Sequence, residues 1–108
     1  MYGDLKMMKM HIWDREKGSE GSQSIDKVSI SSGLVKLLVA LSNKFYFSNF
    51  EISLNDYELL ETKQLEVVIN ELKQLCGHYP EYKNEIELLV EKILLASELN
   101  KDILFDPF

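Results

Sequence analysis

The apolar residues of this 108-residue chain change period along its length, from two to about 3.6. That change limits what the chain can fold into. A period of two sends successive side chains to opposite faces of a strand, whereas a period near 3.6 lays one stripe along a helix. Between Lys6 and Asp14, Met8, Met10 and Ile12 share one face while Met7, Lys9, His11 and Trp13 share the other. The second face is only half polar, the pattern of a strand covered on both sides. Val28 and Ile30 alternate across Lys27–Ser31, and Phe50, Ile52 and Leu54 alternate with Glu51 and Ser53. About three short strands are therefore expected. Asn55 and Asp56 end the third, because both side chains bond readily to nearby backbone.

Helical spacing takes over elsewhere. Ser31 or Ser32 offers a capping oxygen to a helix in which Leu34, Leu37, Leu38, Leu41 and Phe45 form one stripe. Val35, Val39 and Ala40 widen that stripe so far that the helix is expected at the centre of the core. From Thr62, Leu65, Val68, Ile69, Leu72, Leu75 and Cys76 occupy one arc, opposite Lys63, Glu66, Asn70 and Lys73. Gly77 falls where a helix ends on a residue of positive φ, and Pro80 suits the first turn of the next helix. Glu81 and Glu85 complement that helix's positive end. The short turn between them predicts an antiparallel hairpin. Ile103, Leu104 and Phe105 are expected to tuck back onto the core. The expected architecture is α+β: a small sheet packed on a core helix, with a C-terminal antiparallel helical hairpin, in one domain over 1–108. Residues 15–26 (REKGSEGSQSID) read as a mobile loop. Met7, Met8 and Met10 leave room for a later natural start, so residues 1–5 carry no function here.

Charge is divided unequally. Residues 1–50 carry 5 acids against 7 bases, and residues 51–108 carry 13 acids against 5 lysines, giving the net −6. An acidic helical half repels phosphate backbones, so nucleic acid is not an expected partner. A basic protein is, since opposite fields speed encounter. The longest apolar run, Leu37 to Leu41, is far short of the ~20 residues that cross a bilayer, so no membrane association is expected. The MYGDLKMMKM start lacks a signal-peptide core. A single cysteine, Cys76, fits a reducing compartment, and a cytoplasmic location is expected.

Candidate sites follow from the last helix. At ~100° per residue, Glu87, Glu91, Glu98 and Asp102 fall within about 60° of one another, with Leu88, Leu95 and Leu99 in a row beside them. Such a surface, apolar anchors with carboxylates around them, is a common form of protein interface. The plainer reading is a solvated acidic face, with the leucine row packed under the chain terminus. Tyr57 and Tyr79 flank the two-helix unit and are the preferred aromatic contacts. Cys76-Gly77-His78 does not make a metal site, since zinc needs three or four ligands and the other histidine, His11, is remote in sequence. Cys76 fits its helix's apolar arc and is expected in the core. The acids lie on faces expected to be exposed, and glycine-rich phosphate loops and hydrolase motifs are absent. No enzyme activity, metal or cofactor is expected.

The KMHIWD opening at 9–14, the ELLETKQLEVVINELKQL stretch at 58–75 and the closing LASELNKDILFDPF are set in a small acidic chain. In overall character the chain resembles the immunity proteins, or antitoxins, with which bacteria neutralise toxins, often nucleases. The resemblance is to the class, whose members share no single fold, and it carries no site residues with it. It implies a stoichiometric inhibitor of a basic toxin, for example a nuclease domain, working as a monomer or weak homodimer. The alternative class is a self-associating structural or adaptor module built on the C-terminal helix. A third class is a small-molecule-binding regulator with its pocket between sheet and core helix.

Overall fold

The computed structural model describes residues 7–15, 24–41, 54 and 56–108. Its elements are β1 (Met8–Trp13), β2 (Ser24–Ile30), α1 (Ser32–Leu41), β3 (Glu58–Leu60), α2 (Leu65–His78), α3 (Lys83–Glu98) and β4 (Asp102–Asp106). The fold is α+β, with four strands among the described residues, of which β3 and β4 are not among the three that the sequence predicts. The sheet runs β2-β1-β4-β3 and every neighbouring pair is antiparallel.

β1 forms where the period of two is clearest. Met8, Met10 and Ile12 are buried on one face, joined by Ile30 of β2, Ile103 and Phe105 of β4, and Leu60 of β3. Each fully buried side chain of this size contributes roughly 1.5–3 kcal/mol. β4 was not predicted as a strand. Three consecutive apolar residues show no alternation, yet pairing with both β1 and β3 places β4 inside the sheet. Pro107, which lacks an N–H, follows its last residue. The predicted strand over Phe50–Leu54 lies outside the described residues except for Leu54, which is exposed. Of the predicted loop 15–26, Ser24–Asp26 belong to β2, and residues 16–23 lie outside the described set.

The helices cover the core face. Leu65, Val68, Ile69, Leu72 and Leu75 of α2 meet Ile86, Leu89, Val90, Ile93 and Ala96 of α3 in an antiparallel hairpin. Pro80 opens the single 3₁₀ turn, Pro80–Tyr82, that leads into α3. Gly77 lies within α2 rather than past its end, and its φ is not positive. On α1 only Leu34, Val35 and Leu38 are buried, while Leu37, Val39 and Leu41 are half-buried and Ala40 is exposed. It is thus a flank of the core rather than its centre.

Its start is clamped. The Ser31 N–H and hydroxyl donate to the two oxygens of Glu85 at 2.6 and 2.7 Å, and Leu34 N–H reaches Ser31 Oγ at 3.4 Å. A serine cap and a carboxylate from α3 thus answer the unpaired donors and positive pole of α1.

Candidate functional site

α3 is fixed in rotation by the five residues it buries, and the same register sets what it shows. Glu87, Glu91 and Glu98 are exposed, spread over ~16 Å of helix at 1.5 Å per residue. Leu88, Leu95 and Leu99 stand beside them at 39%, 37% and 45% exposure. Leu94 is also 43% exposed. Among the described residues none of the three carboxylates enters an ion pair. Lys92, on the same helix, is drawn instead to Asp26 of β2, with Nζ 2.6 Å from Oδ2. That contact, with the Lys27 N–H, holds the Asp26 carboxyl below its ordinary 3.8, and it raises Lys92.

Asp102 is not part of this stripe. α3 ends at Glu98, and Asn100, at φ 59°, reverses the chain. The Lys101 N–H donates to Ala96 O at 2.9 Å and the Asn100 N–H to Ser97 O at 3.1 Å, the paired bonds of a Schellman ending. Asp102 therefore opens β4, 5% exposed. It accepts from the Thr62 N–H at 2.8 Å and the Thr62 hydroxyl at 3.0 Å, and pairs with Arg15 Nε at 2.6 Å. The helical wheel ran four residues too far, because nothing but the left-handed tolerance of asparagine marked the stop.

The two tyrosines separate from the stripe as well. Tyr79 is half-buried against the core, its N–H closing the last turn of α2 on Leu75 O at 2.9 Å. Tyr57 is 51% exposed beside β3, edge-on to Phe108 with ring centroids 5.3 Å apart. Glu87, Glu91, Glu98, Leu88 and Leu95 thus share one face, while Asp102, Tyr57 and Tyr79 do not join it.

The sheet's other face carries groups that sequence spacing did not single out together. His11 of β1 pairs with Lys27 on one side and Leu104 on the other. Its Nδ1 lies 2.8 Å from Ser24 Oγ, its Nε2 lies 3.4 Å from Asp106 Oδ2, and Trp13 meets the ring edge-on at 5.8 Å. His11, Trp13, Tyr57, Leu104 and Asp106 line a shallow hollow of about 450 Å³.

Cys76 is half-buried against the core, and burial, then the charge of Glu87, pushes its thiol up against the opposing effect of Lys83. A raised thiol is a poor nucleophile. Among the described residues no group of three or more His, Cys, Asp or Glu is placed to hold a metal ion, and no helix is long and apolar enough to cross a membrane. Comparison with protein-family models, curated proteins and solved structures gives no match to any of them.

Proposed function

We propose that this protein is a stoichiometric inhibitor of the immunity type, which binds a basic protein partner through the exposed face of α3. A toxin nuclease domain is the partner whose chemistry fits best. The observation that carries this reading is one rigid helix face with Glu87, Glu91 and Glu98 outside any ion pair among the described residues, beside Leu88, Leu95 and Leu99. A protein that acts on nucleic acid needs a basic cleft, and an inhibitor competes for it by placing carboxylates where phosphates would sit. The leucines supply the apolar contact that charge alone does not. Cytoplasmic residence, where such a toxin would be met, belongs to the same proposal.

Neutralising Glu87, Glu91 and Glu98 together to glutamine tests the assignment. Affinity for the partner and its salt dependence should both fall, whereas unchanged affinity with the same salt slope rejects this face. The leucine exposure also favours a second reading, a symmetric dimer through α3. Light scattering separates the two: a stable dimer abolished by Leu95→Asp supports self-association, and a concentration-independent monomer removes it.

A further inference from the structure

The outer face of the sheet holds a hydrogen-bonded line that shares no residue with the α3 face. His11, only 9% exposed, sits at its centre. A bulge in the β1–β2 pairing at Ile12/Trp13 skips Ile25 and turns Ser24 onto this face, where its Oγ reaches Nδ1 at 2.8 Å. From the opposite side Asp106 Oδ2 faces Nε2 at 3.4 Å. Asp106 is itself held in place: the Phe108 N–H donates to Oδ1 at 2.8 Å, and Lys9 Nζ lies 3.7 Å from Oδ2. Burial pushes the Asp106 carboxyl up, but the Phe108 N–H, His11 and Lys9 outweigh it and keep the group below its ordinary 3.8.

An ionised carboxylate only accepts hydrogen bonds, so it retains the proton on Nε2. With that proton on Nε2, Nδ1 offers its lone pair to the Ser24 hydroxyl 2.8 Å away. Asp26 O, another acceptor within reach of that hydroxyl, is farther away at 3.4 Å. Nucleophile, base and orienting acid are thus in line, with the two ring nitrogens exchanged relative to the serine-protease arrangement. Beside Ser24 an open hollow of about 420 Å³, lined by His11, Ser24, Ile25, Asp26 and Lys27, has room for a small acyl group. Lys27, which lines the same hollow, brings a positive charge to it.

We propose that Ser24 is an activated nucleophile that takes the acyl group of small activated esters, with His11 as base and Asp106 as its positioning residue. The Ser24 oxygen bonds to the ester carbonyl carbon as the hydroxyl proton passes to His11 Nδ1. The carbon–oxygen bond to the leaving alkoxide then breaks, and the proton goes to that oxygen. Water hydrolyses the acyl-serine, returning the hydroxyl and releasing the acid.

The test uses 4-nitrophenyl acetate on the full chain, following nitrophenolate by absorbance and the acetylated residue by peptide mass spectrometry. A burst with acetyl on Ser24, and not on Ser29 of the same strand, is the expected result. Ser24→Ala should abolish the burst. His11→Ala should slow acylation about 10²-fold, the scale of general-base help, with added imidazole restoring it. Should that variant not fold, the positioning variants carry the test: Asp106→Asn should slow acylation and Asp106→Glu should recover part of it. Acetyl found on lysines or Ser29 but not on Ser24 would overturn the proposal. So would a Ser24 label that forms at the same rate in the Asp106→Asn protein.

Discussion

Asn100 carries the chain from α3 into β4 at φ 59°, a conformation that glycine adopts freely and a branched side chain does not. Asn100→Gly should leave stability within a few tenths of a kcal/mol, while Asn100→Val should lose about 1–2 kcal/mol in urea unfolding. Asp102, next along, is a structural residue in this account. Asp102→Ala strands the half-buried Thr62 N–H and releases Arg15, which is 52% exposed and can return to water. A loss of about 2–3 kcal/mol is expected, with no change in partner affinity per folded molecule. Gly33 is the third case. A Cβ there would lie 2.8 Å from the Tyr82 hydroxyl and 3.6 Å from its ring. Gly33→Ala should therefore destabilise the protein, and the same change in a Tyr82→Phe background should be neutral or stabilising, since the hydroxyl is the obstacle. Thermal unfolding of the four proteins in that cycle reads the sign directly.

At the level of elements, ion pairs tie α3 to β2 and β1 to β4, and acid should loosen them. The Asp26 and Asp106 carboxyls both sit below their ordinary 3.8 in the folded protein. A carboxyl lowered on folding contributes stability above its unfolded pKa, and that contribution is lost as pH falls through the folded one. Stability should thus decline below about pH 4, and urea midpoints of Asp26→Asn and Asp106→Asn should each show a flatter acid limb than wild type. Lys92 works at the other end: its pKa is raised, so its share is present at neutral pH and lost as pH rises past 10.5 and through the folded value.

The elements differ in how far they could be read. β1, α2 and α3 were legible because one face of each is apolar at the right period, and the exposure of Glu87, Glu91, Glu98, Leu88 and Leu95 followed from the same wheel. β4 was not, because a strand inside a sheet reads as a plain apolar run, here Ile103–Phe105. Asp102 was misplaced because the helix end depended on one asparagine's backbone rather than on hydropathy. The His11 line was out of reach for a different reason. Its partners lie 13 and 95 residues away, and only the sheet order and a bulge bring them together.

Taken as a whole, the molecule holds its acidic helix rigidly. Five apolar side chains bury one side of α3, Glu85 clamps the start of α1, Lys92 grips β2, and the Schellman turn delivers the chain into the sheet. A preorganised face of one sign loses little entropy on binding a partner of the other. If the proposed function holds, this face, rather than the net charge of −6, recognises the partner. The direct measurement is a salt-gradient elution from two columns run side by side with a lysate of the source organism. One carries the wild-type protein and the other the Glu87→Gln/Glu91→Gln/Glu98→Gln variant. One basic protein should be retained stoichiometrically on the first, released by salt, and be lost or elute much earlier on the second. The same protein eluting at the same salt from both columns, or no salt-released partner on the wild-type column, would contradict the proposal.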